Sequence, residues 1–225
     1  MEELEKRLGY KFNNSGLLMN AMTHSSAVNE LKTASNQRLE FLGDSVLQLI
    51  ISSYIYKKLP KQNEGALSKL RSLVVCSDSL LSAANDIDLN KYIILGKGEE
   101  LSGGRDKKNI IADAFESLIG AIYLDGGYHT AENFVLKTLM NVIDKAIKGT
   151  LTYDFKTTLQ EYAQSLEDTE LSYELLRTEG PEHEQIFYSR VVLGNRVFRE
   201  SCGRNRKQSE QNAAENALRE LKIID

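Results

Sequence analysis

NQRLEFLGDSVLQLII, residues 36–51, sets the architecture of this chain. Leucine, isoleucine, valine and phenylalanine fill so many of its positions that a helix built from it keeps almost no polar face. Yet Glu40 and Asp44 stand inside the run, four residues apart. Positions i and i+4 of an α-helix lie one above the other, so these like charges repel, and a carboxylate kept from water without a partner is costly. The arrangement calls for a cation.

A second run repeats it. NIIADAFESLIGAIYL, residues 109–124, is equally apolar and carries Asp113 and Glu116 at i and i+3. Taken singly, each pair also fits the solvated face of a half-buried helix. If the two helices pack together, four carboxylates converge on one pocket. Such a cluster needs divalent cations, and an all-oxygen donor set without His or Cys suits Mg²⁺ or Mn²⁺ rather than zinc. That chemistry points to phosphoryl transfer. Glycosidase acid–base work would need a sugar cleft lined by aromatics, and the chain has no Trp. His24, His129 and His183 lack a Ser or Cys context for a nucleophilic triad. No Lys-Ser/Thr follows the glycines at 96–104 with phosphate-loop spacing, so no nucleotide cofactor is expected.

Outward from these runs, helices are expected over 2–8, 16–24, 36–58, 64–75, 77–84 and 129–147. Loops are expected at 25–36 and at the glycine-bearing 89–108, and Asp125-Gly126-Gly127 is expected to stop the second acidic helix. After Gly149-Thr150 the period changes. A helix over Phe155–Ser165 precedes ELSYELLRTEG (170–180) and QIFYSRVVLGNRVFRESC (185–202), which alternate apolar and polar with a tight turn at Gly194-Asn195. Lys207–Leu221 returns to helix. The expected fold is an all-α domain (1–148), a linker (149–153) and a small α+β domain of α-β-β-β-α order (154–225).

No apolar run is long enough to span a membrane, and the acidic, amphipathic start MEELEKRLGY is not a secretory signal. Cys76 and Cys202 lie far apart without metal-type spacing, which fits a reduced cytoplasmic setting. The formal charge of −4 argues against generic polyanion binding. It hides a pattern, however: Arg196, Arg199, Arg204, Arg206 and Lys207 cluster with only Glu200 among them. Such a local patch can hold phosphate where the net charge would not suggest it.

NQRLEFLGDSVL, with EGALSKLR (64–71), GKGEELSGGRDK (96–107) and ADAFESLIGAIYLDGG (112–127), resembles in order and spacing the signature of bacterial ribonuclease III. The resemblance covers nearly all of 1–148 and implies an endonuclease domain whose Glu40, Asp44, Asp113 and Glu116 bind Mg²⁺, with Mn²⁺ able to substitute. Asp44 and Glu116 would be central to the chemistry and Glu64 an auxiliary acid near the RNA. It further implies a homodimer with Phe41 at the contact, 5′-phosphate and 3′-hydroxyl products with short 3′ overhangs, and processing of rRNA precursors and mRNA. One departure stands out: the family usually has Glu where this chain has Gln37.

The second domain resembles a double-stranded-RNA-binding domain. In KTTLQEYAQ the resemblance places Thr157, Gln160, Glu161 and Gln164 on the RNA-facing side of the first helix. It places His183 in a minor-groove loop. Arg204, Asn205, Arg206 and Lys207 stand at the start of the second helix, where the family form Gly-x-Gly-x-Ser-Lys-Lys reads SCGRNRK here. A helix N-terminus with added cations makes an anion clamp, and Asn205 can cap it. Two functions remain open at this stage: a metal-dependent endoribonuclease cutting double-stranded RNA, or a non-catalytic RNA-binding scaffold whose acids are merely solvated.

Overall fold

The structure is a computed structural model, and it describes residues 1–149, 151, 155–166, 169–181 and 184–224. Its contacts divide the chain into two compact units, Met1–Leu151 and Thr152–Asp225. The first is helical: α1 (Glu2–Leu8), α2 (Ser15–Met22), α3 (Val28–Leu31), α4 (Gln37–Lys58), α5 (Glu64–Val75), α6 (Ser77–Asp86), α7 (Lys97–Leu101) and α8 (Lys108–Ile147). The second holds α9 (Phe155–Ser165), a sheet of β1 (Leu171–Glu179), β2 (Ile186–Leu193), β3 (Arg196–Val197) and β4 (Ser201–Gly203), and α10 (Arg206–Glu220).

The core of the first unit is the packing of α4 on α8, with α2, α5 and α6 closing around them. Leu39, Val46, Leu47, Ile50, Ile51 and Ile55 line one side of α4 at helical spacing. α8 is buried nearly all round over its first half, through Ile110, Ile111, Ala114, Phe115, Leu118, Ile119 and Ile122. Two glycines let these helices touch backbone to backbone. A Cβ on Gly43 would collide with the carbonyl oxygen of Glu116, and one on Gly120 with the carbonyl oxygen of Leu39. Ser117, fully buried, closes the same crossing by donating to the Asn36 carbonyl at 3.2 Å.

Several boundaries differ from the sequence reading for identifiable reasons. The segments read as loops contain short helices: a 3₁₀ turn at Ser25–Ala27 and α3 in the first, 3₁₀ turns at Leu89–Tyr92 and Gly104–Asp106 and α7 in the second. They are too short to show helical periodicity, and long-range bonds hold them. Ser26 Oγ accepts from Gly96 N at 2.9 Å, and Glu30 accepts from Lys97 N at 2.9 Å. The sixth helix extends to Asp86 rather than Ala84, and Cys76 occupies its N-cap position without a capping side-chain bond, its Sγ donating instead to the Leu73 carbonyl at 3.5 Å. The second acidic helix is interrupted at the expected Asp125-Gly126-Gly127 segment: Gly127 leaves helical geometry (φ 77°, ψ 179°), and a further helical stretch runs on to Ile147. Asp125 also anchors the N-terminal segment, accepting from Tyr10 Oη at 2.7 Å, Asn13 N at 2.8 Å and Asn14 N at 2.9 Å. Those donors hold its carboxyl below the ordinary range although burial opposes them. Burial and Asp125 in turn push the Tyr10 phenol up to about 12.

In the second unit β1 pairs antiparallel with β2 from Leu171↔Leu193 to Glu179↔Ile186, with an irregularity between Leu175 and Arg177. β2 also pairs with the very short β3 and β4. The α-β-β-β-α order therefore closes with its third strand split in two. Leu159 and Ala163 of α9, Val191 and Leu193 of β2 and Ala213, Ala214, Ala217 and Leu218 of α10 form a separate core. The alanines keep α10 close to the sheet.

Adding a methyl group at Gly43 or Gly120 must push α4 and α8 apart. Gly43→Ala and Gly120→Ala are each expected to lower the unfolding free energy by about 1–3 kcal/mol, read as a lower urea midpoint. Gly98→Ala, inside α7 where a Cβ meets open space, serves as the control and should not lower the midpoint.

Candidate active site

The glycine contact lies within one turn of the acids it brings together. Glu40 precedes Gly43 by three residues on α4, and Glu116, whose own carbonyl meets Gly43, precedes Gly120 by four on α8. Each of Glu40, Asp113 and Glu116 offers a carboxylate oxygen, and these atoms lie within 4.8 Å of one another. All three residues are partly buried. Burial raises the Glu40 carboxyl above its usual range, with Asp113 and Asp44 adding to the effect. Burial likewise raises Asp113, while His24 opposes it. Three carboxylates so close cannot all ionise cheaply without a cation. The donors are hard oxygens with no sulfur or imidazole among them, so the set fits Mg²⁺ or Mn²⁺.

Other expected site residues take different places. Asp44 is not in this three-acid group; both of its oxygens accept from Gln48 Nε2, at 2.9 and 3.2 Å. Gln48 is a partner that the sequence reading missed, although its i+4 spacing from Asp44 was visible. Glu64 sits exposed in the first turn of α5 and accepts from Ser68 Oγ at 2.8 Å. Gln37, exposed at the start of α4, accepts from Ser35 Oγ at 3.3 Å. Phe41 projects from α4 with 78% of its surface exposed, on a face it shares with Leu49 (55%) and Tyr56 (71%). His24 shares its Nδ1 with Ser26 Oγ at 2.8 Å.

In the second unit Thr157, Gln160, Glu161 and Gln164 recur at helical spacing on the exposed face of α9, opposite Leu159 and Ala163. Asn205 caps α10, its Oδ1 accepting from Gln208 N at 2.8 Å. Gln208 Oε1 reciprocates by accepting from Arg204 N at 3.0 Å. The basic cluster is less uniform than the sequence suggests. Arg206 is paired with Glu210 and Arg196 with Glu220, while Arg199, Arg204 and Lys207 have no ion-pair partner among the described residues. His183 lies outside the described residues.

A family model described as Ribonuclease-III-like matches residues 14–143, and one described as double-stranded RNA binding motif matches 155–221. This chain belongs to the ribonuclease III family. Curated relatives named Ribonuclease 3 are 45% identical in Clostridium perfringens, over 97% of this chain and 93% of that one, and 45% identical in Caldanaerobacter subterraneus, over 98% of both. A solved nuclease domain of ribonuclease III from Campylobacter jejuni superposes with a TM-score of 0.60 at 41% identity, covering 62% of this chain and 96% of that one. As a ribonuclease III, the chain is an endonuclease of double-stranded RNA, with a helical nuclease domain followed by an RNA-binding domain. No described helix is long and apolar enough to cross a membrane.

The raised carboxyls have a consequence for the metal-free protein. A group whose folded pKa exceeds its unfolded value binds more protons when folded, so its contribution to stability falls as pH rises through that window. Glu40→Gln removes one such charge. It should raise the melting temperature at neutral pH in EDTA and flatten its decline above the ordinary carboxylate range. The same substitution should shrink the melting-temperature gain on adding Mn²⁺, which differential scanning calorimetry can record.

Proposed function

We propose that this ribonuclease III is a homodimeric, divalent-metal-dependent hydrolase that cuts double-stranded RNA to 5′-phosphate and 3′-hydroxyl ends with short 3′ overhangs. It would act on rRNA precursors and mRNA in the cytoplasm. The observation that carries this reading is the convergence of Glu40, Asp113 and Glu116 at the glycine crossing of α4 and α8. Glu40, Asp44, Asp113 and Glu116 would hold Mg²⁺ or Mn²⁺, with Asp44 and Glu116 nearest the chemistry. The chemistry a bound metal would supply there is acidification of a water nucleophile and stabilisation of charge at the scissile phosphate.

The chain's own residues do the rest. Burial of the carboxylates in the α4–α8 crossing keeps their geometry rigid, because each is fixed on a packed helix rather than a loop. Gln48 restrains the Asp44 carboxylate on α4. Glu64, one helix away and exposed, is free to face the RNA as an auxiliary acid. Residues 1–148 form the catalytic domain in this reading, 149–153 the linker and 154–225 the RNA reader. In the reader, Thr157, Gln160, Glu161 and Gln164 with His183 would meet minor grooves, where 2′-hydroxyls distinguish RNA from DNA. Arg204, Asn205, Arg206 and Lys207 would bridge the phosphates between them.

The exposed Phe41, Leu49 and Tyr56 on one side of the central helix α4 support the dimer, since large apolar side chains left in water there are suited to a partner surface. The Campylobacter jejuni nuclease domain, whose structure concerns a region involved in dimer formation, supports the same reading. Phe41→Glu is expected to shift the protein from dimer to monomer in sedimentation analysis.

Incubating long duplex RNA with the protein tests the chemistry. Cleavage should require Mg²⁺ and stop in EDTA, and every new end should carry a 5′-phosphate. Glu116→Gln should lose cleavage by at least about 100-fold while still binding RNA, as expected for a group acting on the transition state. Products ending in 2′,3′-cyclic phosphate would refute a metal-activated water, and intact RNA in Mg²⁺ would favour a binding scaffold.

A further inference from the structure

Glu210 is an acid in an unexpected place. It stands in the second turn of α10, four residues after Arg206, inside the helix start that carries the cationic cluster. An acid there opposes phosphate binding by simple charge, yet it is 8% exposed and the one buried charged residue among those described. Its two carboxylate oxygens have separate partners. Oε1 accepts from Arg206 Nε at 2.8 Å, within α10. Oε2 accepts from Lys156 Nζ at 2.6 Å, in the first turn of α9 and 54 residues away in sequence.

The surroundings make this junction rigid. The Lys156 ammonium also lies over the Tyr173 ring, 4.4 Å from its centroid. The Lys156 backbone N–H donates to Gln211 Oε1 at 3.1 Å, so α9 is held to α10 at two neighbouring points. Ser209, the residue before Glu210, shares a buried 2.7 Å hydrogen bond with Ser189 of β2. Burial pushes the Glu210 carboxyl up, but the bonds from Lys156 and Arg206 outweigh it and hold it below the ordinary range. It is therefore ionised wherever the protein is folded near neutrality.

We propose that Glu210 is a positioning residue for RNA binding. Its buried carboxylate ties the first turn of α9 to the first turn of α10 and so sets the spacing between the two surfaces that meet the duplex. The inference rests on the reading of residues 155–221 as the double-stranded-RNA reader. The exposed face of α9 and the N-terminus of α10 must contact grooves and phosphates a fixed distance apart on an A-form helix, over a footprint of about 16 base pairs. Side chains on two independently drifting helices would match that spacing only part of the time. A buried acid gripping one cation from each helix removes the drift, at the cost of partly neutralising Lys156 and Arg206. Arg204 and Lys207, which have no ion-pair partner among the described residues, keep their full charge for the phosphates beside the exposed Arg206.

The two explanations of Glu210 predict opposite signs. If it is only a charge near the RNA, Glu210→Gln adds one positive charge to the reader and tightens binding. If it positions the helices, binding weakens despite that gain. The test uses the full chain in EDTA, so that nothing is cut, with a duplex RNA longer than about 16 base pairs titrated at several salt concentrations. Wild-type protein that fails to prefer duplex RNA over duplex DNA refutes the RNA reading itself. With that preference in place, Glu210→Gln is expected to bind about tenfold more weakly, the scale of one charge-assisted contact, and with a shallower salt dependence. Equal or tighter binding by a Glu210→Gln protein with wild-type circular dichroism overturns the inference.

Should Glu210→Gln fail to fold, Lys156→Met decides the question from the half-buried other end of the same tie. Positioning expects the salt slope to fall by more than the roughly one unit that a single lost phosphate contact gives. A fall confined to about one unit makes Lys156 an ordinary phosphate contact and overturns the inference.

Discussion

The backbone contact of Gly43 with Glu116 and of Gly120 with Leu39 is the constraint on which the nuclease domain depends. Two helices ordinarily keep their axes apart by the size of their side chains. Here the absence of both Cβ atoms brings α4 and α8 into direct contact, and the residues one turn away inherit that closeness. Glu40, Asp113 and Glu116 thus crowd into a space where burial and mutual repulsion raise the Glu40 carboxyl and burial raises Asp113. The same closeness that makes the acids costly without a cation makes them a compact set of hard donors for one. Core packing and site chemistry are one feature of this crossing, because the carbonyl that touches Gly43 belongs to a residue of the acidic cluster.

The RNA-binding domain solves a related problem with different chemistry. Ala213, Ala214 and Ala217 let α10 lie close to its sheet, as the glycines do for α8 on α4. Polar contacts in the first two turns of α10 then fix its start, where Asn205 caps the helix, Ser209 bonds Ser189 and Glu210 grips Lys156 and Arg206. The result is a helix start fixed from three sides, with Arg204 and Lys207 projecting from it. In both domains, small residues set the distance between elements and a nearby charged group exploits it.

Local features were legible in the sequence, since their partners lie within one or two helical turns. The α4 boundaries, the Asn205 cap, the exposed stripe of Thr157, Gln160, Glu161 and Gln164 and the pairing of acids at i+3 and i+4 all follow from helical periodicity. The short helices in 25–31 and 89–106 did not, because bonds such as Ser26 to Gly96 and Glu30 to Lys97, rather than local propensity, hold them. The break at Gly127 was legible in Asp125-Gly126-Gly127, whereas the bonds Asp125 accepts from Tyr10, Asn13 and Asn14 were not, because those partners lie far away in sequence.

The sequence by itself determined that two nearly all-apolar helices carry paired acids, that an α+β unit follows them, and that the pattern is that of ribonuclease III. Periodicity and residue chemistry are properties of the chain alone, so they can be read from it. Which acids share a space and which cations carry a partner emerged only on folding. It groups Glu40, Asp113 and Glu116 while Gln48 holds Asp44, and it pairs Arg206 and Lys156 with Glu210. Those outcomes turn on distances of a few ångströms between elements far apart in sequence, and a missing Cβ or one buried carboxylate sets them.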